Sequence, residues 1–278
     1  MKVNFFNKKL LEKTFSFLLL EGSILGIISI FFNDFILKYN IWFMAGYVLI
    51  LIIYHIIMYL YANYLKNISL KIKTSTFEIK TGDIFEQDKL KVINFNEYFD
   101  TVVDNRIIAE NSLNGKFIKE KVADVNGLDE IIKQSLANTN SFVNNDRKNG
   151  KKEKYELGTV VEYNQDYLLT ALTKFDDDNR ANLELKDYLI FLMNFWNNLD
   201  KIYANRSVAI TLFGSSSITR FNDANDITDQ DLVEIIIWTF KVSKIKFKYP
   251  TTISLILSED LINRINLYEI KERYKDGI

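Results

Sequence analysis

Phe77–Phe85 reads FEIKTGDIF, an alternation of apolar and polar residues that breaks at Gly82 and presents Asp83. Successive strand side chains point to opposite faces, so the alternation predicts a strand ending at the glycine. Working outward, comparable strand runs are Ser69–Lys73, Lys89–Phe95, Leu157–Tyr163, Tyr167–Thr173, Ser207–Phe213 and Thr252–Leu257. Helical spacing of apolar residues falls at Gly127–Ala137, Leu183–Ala204, Asp229–Lys244 and Glu259–Arg273, with Thr228 and Ser258 as caps. Strands alternating with helices predict the α/β class: a three-layered domain whose sheet is covered on both faces, with ligands at the carboxyl ends of the strands. Asn144–Lys154 (NNDRKNGKKEK) reads as an exposed loop or partly disordered insertion.

Upstream the chain changes character. Phe15–Phe32 holds one charge, Glu21, and Ile41–Tyr61 holds no Asp, Glu, Lys or Arg. At 1.5 Å per residue these runs extend about 27 and about 31 Å, against a hydrocarbon core of about 30 Å. The loop between them, Asn33–Asn40, is short, which predicts a transmembrane helical hairpin. A signal peptide fits poorly, since no small-x-small site follows and a second apolar run comes at once. Lys2, Lys8, Lys9 and Lys13 precede the first run, and Lys66, Lys71 and Lys73 follow the second, against only Lys38 between them. The positive-inside rule then puts both termini and the soluble domain in the cytoplasm, on a two-span inner-membrane protein. The expected division is residues 1–67 for the membrane region and 68–278 for the domain.

Composition excludes whole classes of chemistry. Lys and Arg number 35 against 36 Asp and Glu, a net charge of −1, so binding nucleic acid by bulk electrostatics is not expected. There is no cysteine, which removes disulfides, thiolate metal sites and cysteine nucleophiles. The single histidine, His55, lies in an apolar run, which removes Ser-His-Asp triads and multi-histidine metal centres. No metal or cofactor is expected.

Two strand ends carry chemistry. Asp83, beside Gly82, can accept a hydrogen bond from an amino group such as that of adenine, although an ordinary Gly-Asp turn has the same sequence. Val208–Arg220 (VAITLFGSSSITR) runs from a buried strand into Gly214-Ser215-Ser216-Ser217 and then Ile218-Thr219-Arg220. Small residues let backbone N–H groups converge into an anion-holding nest, to which serine hydroxyls and the Arg220 charge can add. It is neither a P-loop nor GxGxxG.

Together these segments resemble the macro domain, an ADP-ribose-binding module. The Gly-Asp-Ile that ends its first strand is matched by Gly82-Asp83-Ile84. The resemblance implies that Asp83 meets the adenine amine and that the following backbone N–H completes the recognition. It also assigns Asn94 and Asn96, the glycine-containing loop Asn114-Gly115-Lys116-Phe117, and a diphosphate loop from Gly214 to Ile218, with Thr219 and Arg220 beyond it. The stretches KVINFNEYFDTVVDNRIIAENSLNGKFI, LLTALTKFDDDNRA (which contains Thr173) and LFGSSSITRF further resemble the divergent macro-domain effectors of type II Thoeris anti-phage systems.

In that family, the resemblance implies, a companion TIR-domain enzyme consumes NAD on infection and makes an ADP-ribose-derived signal, thought to be joined to histidine. The macro domain senses the signal. The membrane helices then assemble as a homo-oligomer and damage the bilayer, so the cell dies or stops growing before phage are released. The sequence departs from better-known macro domains in its Asn94-Phe95-Asn96-Glu97, single Gly115, and Ser216 and Ser217. It lacks the paired glutamates of the glycohydrolase branch, and Glu110, near the glycine loop, reads as a solvated helix residue. A sensor is therefore expected rather than an enzyme. A membrane-tethered ADP-ribosyl hydrolase and a nucleotide-free scaffold are the competing readings.

Within the first span, Gly22 and Gly26 form a GxxxG motif, suited to helix packing within the hairpin or between chains. Counting from the ends of the apolar runs puts Glu21 and His55 at similar depth. A Glu21–His55 pair, a Glu21 that lines an oligomer interior, and snorkelling of both are then the alternatives.

Overall fold

The computed structural model describes residues 2–176, 178–215, 220–221, 227–243 and 251–275, with backbone alone for residues 33, 35, 220 and 221. The chain forms two compact units, Met1–Ile68 together with Asn263–Asp276, and Ser69–Ile262. The C-terminal segment, expected in the soluble domain, thus belongs with the apolar helices.

The first unit is an antiparallel hairpin of α1 (Lys8–Phe31) and α3 (Asn40–Tyr64), with the short α2 (Asn33–Lys38) between them. Both long helices have the length and composition to cross a membrane, with mean hydropathies of 1.9 and 2.2. Their register is fixed by polar contacts. The Thr14 hydroxyl lies 2.8 Å from His55 Nδ1, His55 Nε2 lies 3.0 Å from the Phe5 carbonyl, and the Tyr47 hydroxyl donates to the Leu18 carbonyl at 2.8 Å. Phe17 stacks on Tyr54 at 3.9 Å.

This register removes the Glu21–His55 pair from the alternatives within the hairpin. Thr14 is opposite His55, and Glu21 lies seven residues further along α1, about 10 Å away at the helical rise. Counting from the apolar ends failed because α1 begins at Lys8, under the Asn7 cap, a full seven residues before the apolar run. The glycine motif does not close the hairpin either. A Cβ on Gly26 would meet nothing within 4 Å, and one on Gly22 only the Tyr47 hydroxyl at 3.7 Å.

The C-terminal helix Leu267–Arg273 completes this unit. Tyr268 is fully buried against Val3, Leu10 and Ala62, while Lys13 Nζ meets Glu272 Oε1 at 2.6 Å and Lys271 Nζ donates to the Tyr61 hydroxyl at 2.7 Å. Glu272→Lys should lower the melting temperature of the full chain in detergent, and Lys13→Glu should restore it. The expected coupling in the double-mutant cycle is about 1 kcal/mol; strictly additive effects would refute the clasp. The continuous helix expected over Glu259–Arg273 is broken, because the Asn266 side chain accepts from the Glu269 N–H at 3.0 Å and starts a new helix there.

In chain order the second unit contains β1 (Asn67–Ile72), β2 (Ser75–Thr81), β3 (Leu90–Asn96), α4 (Leu113–Lys121) and α5 (Val125–Leu136). There follow β4 (Ser141–Val143), β5 (Glu153–Tyr155), β6 (Val160–Tyr163), β7 (Tyr167–Phe175), β8 (Ala181–Leu183) and α6 (Leu185–Ile202). The last elements are β9 (Val208–Thr211), β10 (Arg220–Phe221), α7 (Asp229–Ser243), β11 (Thr252–Leu257) and α8 (Glu259–Ile262). The main sheet runs β1-β2-β11-β9-β3-β7-β8-β10, with β6 also pairing β7. It is mixed: β2, β11, β9, β3 and β7 are parallel, while β6 and β8 run antiparallel to β7.

Helices cover both faces, as the strand–helix alternation predicted. On one face Phe117, Leu128, Ile132 and Leu136 of α4 and α5 pack on Ile93, Phe95, Leu169 and Ala171. On the other, Phe191 of α6 meets Phe213 at 5.1 Å and Phe240 of α7 meets Phe77 at 5.6 Å. Covered twice, β11 reads as a nearly unbroken apolar run. The parallel strands bring Gly82, Asn96, Thr173, Ser215 and Ser258 to one edge of the sheet.

Candidate functional site

That edge holds a cleft of two chambers. The smaller, of about 370 Å³, is lined by Gly82, Asp83, Ile84, Thr211, Ser215 and Ile256, with Ser258 and Leu261 beyond. The larger, of about 770 Å³, is lined among others by Asn96, Arg106, Asn114, Lys148, Thr173, Asn179 and Arg180. Asn94 and Leu113 line both and mark where they meet. Such volumes are those of small-molecule sites.

Asp83 is exposed at the mouth of the smaller chamber. Its Oδ1 accepts from the Phe85 N–H at 2.8 Å, capping a single 3-10 turn, Ile84–Glu86, and fixing the side chain. Ile84 is buried against Ala209 and Ile256, which holds its backbone at the chamber wall. Gly214 has φ +82°, a conformation that glycine adopts without cost, and Ser215 turns its hydroxyl to the Leu212 carbonyl at 2.9 Å. Ser216, Ser217, Ile218 and Thr219 lie outside the described residues. Arg220 is described by its backbone, which pairs β10 with β8.

The β3–β7 ladder slips between Phe95 and Asn96, so that Asn96 faces Thr173 rather than Leu172. Such bulges re-aim side chains beside sites, and here both residues are brought to the larger chamber. Asn96 is nevertheless occupied: its amide donates to Asp100 Oδ2 at 2.9 Å and its oxygen accepts from the Tyr98 and Asp100 N–H groups. Asn94 Oδ1 and Asn114 Oδ1 are buried acceptors without a protein partner. A buried acceptor left unpaired is costly, which marks both asparagines as uncompensated by the fold.

The glycine-containing loop is corrected. Residues 113–121 form α4, capped by Ser112, whose hydroxyl accepts from the Gly115 N–H at 3.0 Å. Gly115 is required for close approach: a Cβ there would lie 2.3 Å from the Ala109 carbonyl and 2.9 Å from that of Glu110. Phe117 is fully buried in the core, between Phe95 and the Tyr163 and Tyr167 rings, and so is not a wall of the cleft. Lys116 lies on a separate shallow depression with Glu110 and Lys119. Glu110 is exposed as expected but sits in a turn, where the Lys119 ammonium holds its carboxyl below the usual range.

The segment before α4 builds one wall. Asp104 accepts from the Ile107 and Arg106 N–H groups at 2.7 and 2.9 Å, which holds its carboxyl below the usual value. Asn105, at φ +62°, closes the turn by accepting from the Glu110 N–H. Glu97, at the end of β3, is buried away from the lining. Burial pushes its carboxyl up, against the pull of Lys154 at 3.8 Å and the Phe175 N–H. Its charged form therefore weakens the fold as pH rises through its folded pKa.

The sequence did not single out Arg106, Lys148, Asn149, Asn179 or Arg180 as ligand residues, whereas Asn114 entered with the glycine-containing segment and does line the larger chamber. Asn144–Lys154, expected to be exposed, is anchored. Arg147 is 3% exposed and β5 pairs with β4. Its Lys/Asn-rich composition hid the one arginine that turns inward.

A family model described as "Thoeris protein ThsA, Macro domain" matches residues 77–258. Thoeris protein ThsA of Bacillus amyloliquefaciens (strain Y2) is 40% identical over 240 residues, covering 84% of this chain and 79% of that protein. A macrodomain of Oceanobacillus iheyensis with ADP aligns with a TM-score of 0.47 at 13% identity, over 76% of this chain and 97% of its own. The macrodomain of that organism with MES bound aligns at 0.47 and 14% identity, over 74% and 98%. The matched stretch runs from within β2 to Ser258, just before α8, and holds every lining residue of the two chambers but Leu261. The chain belongs to the macro-domain family of Thoeris protein ThsA.

Proposed function

We propose that the chain is a membrane-anchored anti-phage effector whose macro domain senses an ADP-ribose-derived nucleotide, with ADP-ribose joined to histidine by a companion TIR enzyme as the signal. The observation that carries this reading is the cleft. Asp83 stands at one end, a glycine turn borders the same chamber, and Asn94 and Asn114, whose buried side-chain oxygens lack a protein partner, are among the residues lining the larger one. Adenine would sit by Asp83, the diphosphate near Gly214 and Ser215, and the second ribose in the larger chamber.

The lining favours binding over turnover. Among the described residues of the larger chamber the one carboxylate is Asp178, which is exposed and pairs with Arg180 at 3.7 Å. A hydrolase that activates water with a buried carboxylate would need a further one, since Glu97 is buried away from the lining and Glu110 pairs with Lys119. Assembly between copies is supported by the open face at Gly26, which the hairpin leaves free for another helix, and a cytoplasmic placement of both termini and the macro domain by the lysines that flank the two apolar helices. Transmission from the site is supported by connectivity. Ser258 and Leu261 line the smaller chamber, and two residues after Leu261 the chain enters the unit that contains the hairpin.

Calorimetric titration of the full chain in detergent with ADP-ribose and with its histidine conjugate tests the reading. Asp83→Ala should weaken binding about 10- to 100-fold, the loss of one charge-assisted hydrogen bond. Absence of heat from both ligands with the folded wild type would falsify it.

A further inference from the structure

The end of the hairpin at which α1 begins and α3 ends is strongly basic. Residues 2–13, 65–68 and 263–275 carry nine Lys and Arg against three carboxylates, although the whole chain is at −1. All three carboxylates are already engaged: Glu272 with Lys13 at 2.6 Å, Glu269 with Arg273 at 3.0 Å and Glu12 with Lys9 at 3.6 Å. A surplus of positive charge is left with no protein counter-charge. In the second unit, by contrast, the buried cation is neutralised, with Arg147 NH2 2.7 Å from Asp100 Oδ2.

Packing within the first unit brings this surplus to one level. Thr14 lies opposite His55. Lys8, six residues before Thr14, and Tyr61, six residues after His55, therefore share a height about 9 Å nearer this end. Lys271 Nζ donates to the Tyr61 hydroxyl at 2.7 Å, which adds a charge from the C-terminal helix at the same height. Tyr61 also ends the uncharged run Ile41–Tyr61, so the ammonium groups stand where the apolar surface stops. Phe6 and Tyr64 are 74% and 76% exposed here, the placement of aromatic side chains in an interfacial belt.

The fold itself gains nothing from two of these charges. Lys8 and Lys9 occupy the first turn of α1, which has no acidic residue, and cations at that end oppose the helix dipole. Both are exposed, and Lys8 has no ion-pair or hydrogen-bond partner among the described residues.

We infer that this end of the hairpin binds anionic phospholipid headgroups, with Lys8, Lys9 and Lys271 on the phosphates and Phe6 set into the interface. The inference rests on the reading of α1 and α3 as membrane spans and adds to it the class of lipid that the chain selects. Each lysine held near an anionic leaflet favours it about fivefold.

The test melts the full chain in a neutral detergent with added phosphatidylglycerol, phosphatidylcholine or inorganic phosphate. Phosphatidylglycerol should raise the melting temperature by about 5 °C, and the other two should leave it unchanged. Lys8→Ala combined with Lys9→Ala should melt no lower than the wild type in detergent alone, since the dipole is relieved, yet lose about half of the phosphatidylglycerol shift. Equal shifts from the two lipids, an equal shift from inorganic phosphate, or an undiminished shift in the double variant overturns the inference. Release of the wild type from vesicles by alkaline carbonate would instead overturn the reading of α1 and α3 as spans.

Discussion

Asp100→Ala is expected to lower the unfolding free energy of the macro domain by about 3–5 kcal/mol, the usual consequence of leaving one member of a buried ion pair without the other. The arginine left behind is 3% exposed, so water cannot replace the lost carboxylate. It would keep Asn179 and the Lys151 carbonyl but lose the charge that balances it. The Lys151 N–H and the Asn96 amide would lose an acceptor at the same time. Urea denaturation of the full chain, with Trp42 and Trp238 replaced by Phe so that the fluorescence is that of buried Trp196, reads the change. A loss below about 1 kcal/mol would mean that the pair is balanced by its neighbours and is not the anchor of the 147–151 turn.

Gly115→Ala carries the second large effect, about 3 kcal/mol of destabilisation together with loss of ligand binding. A methyl group at this position cannot coexist with the Ala109 carbonyl 2.3 Å away, and the obstacle is backbone, which cannot rotate aside. Overpacking of this kind costs about 1–3 kcal/mol and more where the neighbour is rigid. The segment displaced, 109–112, supplies Ala109 and Ser112 to the larger chamber and the cap of α4. Stability and nucleotide affinity should therefore fall together. A variant that melts like the wild type and binds ADP-ribose normally would show that the wall yields without cost.

Much of the site was visible as strand ends. The alternation in Phe77–Thr81 and its break at Gly82 placed Asp83 correctly at the carboxyl edge, because a period of two and a glycine stop are local properties. Gly214 and Ser215 reach the same edge for the same reason, while Asn94 and Thr173, which also line the cleft, were assigned by the family resemblance alone. Gly115 was noticed, but its purpose was misread: it serves the approach of α4 to the 109–110 backbone, and Asn114-Gly115 disguised a helix that Ser112 caps. Phe117 went with the supposed loop and proved to be core.

The sequence by itself determined the elements and their order: two membrane-length helices, strands alternating with helices, and a glycine-aspartate turn at a strand end. These follow from periodicity and composition over ten to twenty residues. Tertiary structure alone decided how distant segments register. The Thr14–His55 contact set the hairpin and left Glu21 more than a turn away from His55, one of the partners considered for it. Burial of Arg147 drew a lysine- and asparagine-rich stretch against Asp100, and Asn266 split the last helix so that Tyr268 joins the hairpin. Each outcome turns on which groups lose water together, and that is fixed by long-range packing rather than by any local pattern.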